Sequence, residues 1–192
     1  MTTIDQGVEV DTDKLMQFVF RAVDEVGATL NTALVVLGDK LGLYRELAGS
    51  GGLTSGELAE RTGTSERYVR EWLSNQAAGG YLAYDPASAR YSLPPEQAVA
   101  LTDSESPAYL PGFFQVALGA VIDSPRIIEA ATRGNGVGWH EHTHDVHEGC
   151  ERFFRPSYNA HLLSEWLPAL EGVVAKLERG ARVRAVSIEP AW

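Results

Sequence analysis

The chain has 192 residues, 44% of them apolar, with seven Tyr, six Phe and four Trp. Such a composition supplies a buried core and excludes global disorder. With 26 acidic against 16 basic residues the formal charge is −10, which disfavours non-specific binding to nucleic acid or to an anionic membrane.

Residues 1–10 read as a disordered polar tail. The opening MTTIDQGVEVDTDK lacks the basic and apolar regions of a signal peptide, and no apolar run reaches the roughly 20 residues of a membrane span. The sequence predicts a soluble cytoplasmic protein. Residues 11–50 read as a helical dimerisation segment. Leu15, Phe18, Val19, Val23, Val26, Leu30, Ala33, Leu34, Leu37 and Leu41 recur at spacings of three and four, with Asp11 or Thr12 as N-cap. Gly27 and Gly38 are the expected breaks. Phe20, Val35 and Val36 lie on the opposite side, and a helix apolar on two sides needs partners on both. One expected partner is a second copy, giving a homodimer through residues 12–48. LGLYRELAG (41–49) is a short helix, and Gly49–Gly52 a flexible connection.

Residues 51–95 carry the most specific local pattern. Thr54-Ser55-Gly56-Glu57 is a capping box that opens SGELAERT, and Gly63 suits a left-handed helix stop. SERYVREWLSNQAAGG follows, with Tyr68, Val69, Trp72 and Leu73 on one side. Two strand-like runs, Tyr81–Tyr84 and Arg90–Leu93, flank the turn initiator Asp85-Pro86. Helix, turn, helix and hairpin form the winged helix-turn-helix order. The exposed candidates for DNA contact are Arg67 and Arg70, beside Glu66 and Glu71. Residues 52–93 hold four basic and five acidic side chains. DNA-binding domains are usually cationic, so a packing or dimerisation module is favoured and nucleic acid is not an expected partner.

Residues 96–180 read as a further helical region: EQAVALTD, an apolar segment from Tyr109 to Ile122, a helix opened by Pro125, a Gly-rich loop, and a long helix from Cys150 to Gly180 kinked at Pro156 and Pro168. The Gly-rich stretch 134–138 lacks a following Gly-Lys-Ser/Thr and is not a phosphate cradle. Cys150 is the single cysteine, so internal disulfides and Cys-rich metal sites are excluded. Four of the five histidines lie at 140, 142, 144 and 147. Three readings stay open for them: a polar, partly exposed loop; a substrate-facing loop with His140 or His142 as hydrogen-bonder or general base; and a zinc or nickel site. The spacing matches no zinc motif, and no metal is expected. Phe154 and Tyr158 stand one helical turn apart, either as core or as the wall of a pocket for a flat ligand; core packing is the plainer reading.

In order, LGLYRELAGSGGLTSGELAERTGTSERYVREWLSNQAAGGYLAYDPASARYSLPPEQAVAL, GVGWHEH and ERFFRPSYNAHLLSEWLPALEGVVAKLERGARV resemble the N-terminal region of bacterial class I S-adenosylmethionine-dependent methyltransferases. These resemble small-molecule O-methyltransferases and are sometimes labelled transcriptional regulators. The likeness spans roughly residues 12–183. It implies a mainly α protein: long dimerisation helices, a winged helix with one small hairpin, and a helical substrate lid over 96–180. It implies that Trp139, Phe154, Arg155 and Tyr158 face substrate or cofactor, and that His140 or His142 is the base for a small-molecule substrate. It also implies that full-length relatives bind S-adenosylmethionine on an acidic-Gly-x-Gly-x-Gly loop after the stretch like Gly180-Ala181-Arg182-Val183. This chain continues RAVSIEPAW instead. Residues 181–192 are therefore expected to be an aberrant remnant of the first strand of a missing Rossmann-like domain. The expectation is a truncated chain that binds no cofactor and is not catalytic alone, with a winged-helix transcriptional regulator as the alternative.

Overall fold

The computed structural model describes residues 10–183. The expected tail, but for Val10, and the strand remnant beyond Val183 lie outside them; Ala181–Val183 have no regular secondary structure. The described chain is mainly α-helical with one small antiparallel hairpin.

Helix α1, Thr12–Lys40, opens at Asp11, whose carboxylate accepts from the Asp13 and Lys14 backbone N–H groups at 3.1 Å each. It runs unbroken through both glycines, against expectation. At Gly27 a Cβ would meet nothing within 4 Å, so the glycine costs only about 1 kcal/mol of propensity and the helix continues. Gly38 has a packing reason. A Cβ there would lie 2.4 Å from the Trp72 ring, so glycine admits the indole, whose Nε1 donates to the Leu34 carbonyl at 2.9 Å.

After α2, Leu43–Leu47, the winged helix follows: α3, Ser55–Thr62; α4, Glu66–Ala78; β1, Ala83–Asp85; and β2, Arg90–Ser92. The capping box forms as read: Glu57 N–H donates to Thr54 Oγ1 at 3.3 Å and Thr54 N–H to the Glu57 carboxylate at 2.8 Å. Gly63 stops α3 at φ 63°. The hairpin pairs Tyr84 with Tyr91, and its first strand starts two residues later than the apolar run suggested. Leu53 bonds Tyr91 through both backbone groups at 2.8 Å, adding a third short rung. The core of this half joins Val35, Leu43, Tyr44, Leu47, Leu58, Val69, Trp72 and Leu73. Tyr44 donates to Gln76 Oε1 at 2.6 Å, so the phenol is buried with a partner.

The second half is α5, Pro95–Thr102; α6, Pro111–Ile122; α7, Ser124–Arg133; and α8, His144–His161. Helices α6 and α8 touch backbone to backbone: a Cβ on Gly112 would lie 2.7 Å from the Gly149 carbonyl, and one on Gly149 2.8 Å from that of Gly112. The histidine run is not one loop. A 3-10 turn covers Trp139–Glu141, and α8 has begun by His144. Nor does one long helix reach Gly180. Pro156 sits inside α8, a π turn follows at Leu162–Trp166, and α9 is only Val173–Glu178.

Candidate functional site

The tightest polar constellation centres on a residue that periodicity does not mark. Asp123 is the junction of α6 and α7, and its side chain is 1% exposed. Its carboxylate accepts from the Thr143 backbone N–H at 3.0 Å and pairs with His142 Nδ1 at 2.9 Å. Burial pushes this carboxyl up. The Thr143 N–H, the His142 ring and the Arg126 charge outweigh that and hold it below the ordinary carboxylate value. An ionised carboxylate only accepts, so Nδ1 of His142 carries the proton it donates to Asp123. Trp139 closes one side, its ring 6.0 Å from His142 and 4.9 Å from His147. His147 Nε2 in turn bonds the Trp139 carbonyl at 2.8 Å, tying the 3-10 turn to α8.

His142 lines a cleft of about 560 Å³ between α7 and the loop before Trp139, with Arg126, Glu129, Arg133, His140 and Glu141. Arg133 pairs with Glu129 at 2.6 Å, and Glu141 accepts from the Gly138 N–H. His140 is exposed at the rim. Among the described residues no three His, Cys, Asp or Glu side chains converge as metal ligands.

The aromatic candidates form a separate row along α8. Phe113 stacks on Phe153 at 4.9 Å, Phe153 meets Phe154 at 5.1 Å, Phe154 faces Tyr158 at 6.4 Å, and Tyr158 meets Trp166 edge-on at 5.4 Å. Phe154 and Tyr158 are 45% and 50% exposed, so the core reading fails for this pair. The apolar stripe of α8 is wider than the helices beside it cover. Arg155 is ion-paired with Glu151 on the same surface. From His144 to Tyr158 is roughly 21 Å along the helix axis, so the histidine cleft and the aromatic row are two places rather than one. Arg67 and Arg70 are exposed on α4, and Arg70 lies 3.8 Å from the Glu66 carboxylate.

A buried ionic clamp holds α8 in place. Arg152 donates to Asp39 of α1 at 2.6 Å, to Gln115 of α6 at 2.7 Å and to the Tyr109 hydroxyl at 2.7 Å. Gln115 donates to Asp145 at 2.8 Å and to Glu148 at 2.6 Å, and Lys40 pairs with Asp145 at 2.7 Å. Neither Asp39 nor Asp123 carries a sequence signal beyond being acidic near a helix end.

Comparison with known proteins agrees with this architecture. Residues 29–103 match the family model described as the Rv2258c-like winged HTH domain, which takes in the end of α1 and runs one residue past α5. No curated protein matches the chain. Among solved structures, PigF with SAH is similar with a TM-score of 0.57 at 15% identity, over 79% of this chain and 48% of that one. The apo form of SibL, an S-adenosylmethionine-dependent methyltransferase, is similar with a TM-score of 0.52 at 16% identity, over 78% and 46%. The chain thus spans about half the length of these structures. At such identities the likeness is one of fold, and the family model identifies the winged helix within it.

Proposed function

We propose that this chain is the dimerisation and substrate-side portion of an S-adenosylmethionine-dependent methyltransferase. The observation that carries the reading is the joined pair of units: a winged helix at 29–103 followed by the α6–α8 layer, in a fold shared with PigF in complex with SAH and with SibL, an S-adenosylmethionine-dependent methyltransferase. In this reading two separate surfaces face substrate or cofactor: Trp139, His140 and His142 at the cleft beside α7, and Phe154, Arg155 and Tyr158 along α8. The exposed aromatics of α8 are the surface on which a flat acceptor or a further domain rests.

The methyl donor itself does not fit the described residues. Nucleotide cofactors of this class sit at the carboxyl ends of parallel strands, and the described residues offer one antiparallel hairpin. In the proposal these 192 residues alone bind no S-adenosylmethionine and transfer no methyl group. Calorimetry with S-adenosylmethionine is expected to show no heat of binding; micromolar affinity would overturn that part.

The dimer is the second element of the proposal. Leu15, Met16, Phe18, Val19, Phe20, Val23, Val26 and Leu30 of α1 are all exposed. An apolar groove of about 450 Å³ continues this stripe past Leu34, Leu37 and Leu41 to Tyr68 and Trp72. The occupant proposed for both is a second copy of the chain.

A further inference from the structure

We infer that the cleft beside α7 is a binding site for a small monocarboxylate, with Arg126 as the residue that selects the anion. This rests on reading the chain as the substrate side of a transferase and names the ligand class that side takes. Its test needs no methyl donor, so silence with S-adenosylmethionine and silence here are separate results.

The cleft is built before any ligand arrives. Gly134 ends α7 at φ 73°, and Asn135, Gly136 and Val137 then line the same space of about 560 Å³ as Arg126, Glu129 and Arg133. The Asn135 N–H donates to the Ala130 carbonyl at 3.2 Å, and the Gly138 N–H to the Glu141 carboxylate. The loop is thus tied at both ends, so a ligand does not have to order it. Among the described residues Ala130 and Val137 are the only apolar side chains of this lining, which suits a small polar ligand.

The charges of the lining are unevenly committed. Arg126, Glu129 and Arg133 share one side of α7 at helical spacing. Glu129 is spent on Arg133 at 2.6 Å and Glu141 on the Gly138 N–H. Arg126, among the described residues, has no ion-pair partner. Its charge is felt by Asp123, but that carboxylate is 1% exposed and its bonds go to Thr143 and His142. The Arg126 guanidinium is left to the cleft. A carboxylate meets its planar fork with two oxygens. A phosphate dianion brings a second charge toward Glu129 and Glu141, which repel it. A neutral ligand that covers the guanidinium takes it from water and returns no acceptor.

Benzoate is the probe, and benzamide its uncharged counterpart of the same shape. In 15N spectra of the full chain, benzoate is expected to shift the Asn135, Gly136 and Val137 amides saturably, at about millimolar affinity for so small a molecule, and benzamide to leave them. Arg126→Gln is expected to weaken benzoate roughly tenfold, the loss of one charged hydrogen-bonded contact. Glu129→Gln frees the Arg133 guanidinium and is expected to strengthen benzoate several-fold, a gain that a misfolded variant cannot give. Inorganic phosphate is expected to bind more weakly than benzoate. Benzamide shifting these amides as strongly as benzoate, an affinity unchanged in Arg126→Gln or not raised in Glu129→Gln, or phosphate as the tighter ligand would each overturn the assignment. So would benzoate shifts confined to α8 from Phe154 to Tyr158.

Discussion

Arg152 shows what one buried side chain organises. Burial opposes its charge, yet the Asp39 carboxylate and the Tyr109 oxygen more than compensate, so its pKa rises. Removing one partner of such a pair strands the other in a low-dielectric place, which costs about 3–5 kcal/mol. Arg152→Ala is expected to lower the melting temperature by roughly 6–20 °C, at 2–4 °C per kcal/mol for a chain of this size, as read by circular dichroism. Asp123 and Asp145 define the acid limb of stability. Both carboxyls titrate lower folded than unfolded. For Asp123, burial opposes ionisation and the bonds from Thr143 and His142 overcome it; for Asp145, the Lys40 ammonium leads. A depressed folded pKa stabilises the protein above the unfolded value and loses that contribution as pH falls through the folded one. Stability is therefore expected to decline from about pH 4 downward, with a shallower slope in Asp123→Asn. Equal slopes in urea titrations at pH 5, 4 and 3 would refute this.

At the scale of elements, glycine misled where periodicity did not. The spacing of Leu15 to Leu41 locates α1 to within a residue or two, and the Thr54–Glu57 box and Gly63 bound α3, because those signals are local hydrogen-bond chemistry. Gly38 reads locally as a break and is in fact a contact, since only the folded chain brings the Trp72 ring 2.4 Å from its would-be Cβ. The Gly112–Gly149 crossing has the same character. Gly149→Ala gains helix propensity but forces α6 from α8, and overpacking costs about 1–3 kcal/mol. The net expectation is a loss in denaturant midpoint with unchanged slope. Histidine spacing was equally ambiguous: alternation suits an extended run, but α8 begins inside it and sends His142, His144 and His147 to different surroundings. His142 among the candidates was legible as a polar residue in a polar loop; its partner Asp123, 19 residues earlier, was not.

For the molecule as a whole, α1 sets the question. Its 29 residues extend roughly 43 Å, and from Thr12 to Leu30 every residue but Ala22 is exposed. Burying a Val or Leu side chain contributes about 1.5–3 kcal/mol, and a second copy is the proposed source of that burial. Equilibrium sedimentation at micromolar concentration is expected to give a dimer, and Val23→Asp with Leu30→Asp a folded monomer. A wild-type monomer would overturn it. Among the described residues no helix is long and apolar enough to cross a membrane. Fragment binding at about 50 mM salt, where phosphate contacts are strongest, is expected to be absent for the winged helix. Order along the chain determined the helices, their caps, the winged-helix succession and the resemblance, because each is written in residues a few positions apart. Which glycines are contacts, which histidine meets a buried carboxylate, and how Arg152 gathers three distant segments were decided only on folding, because those energies arise between residues dozens of positions apart.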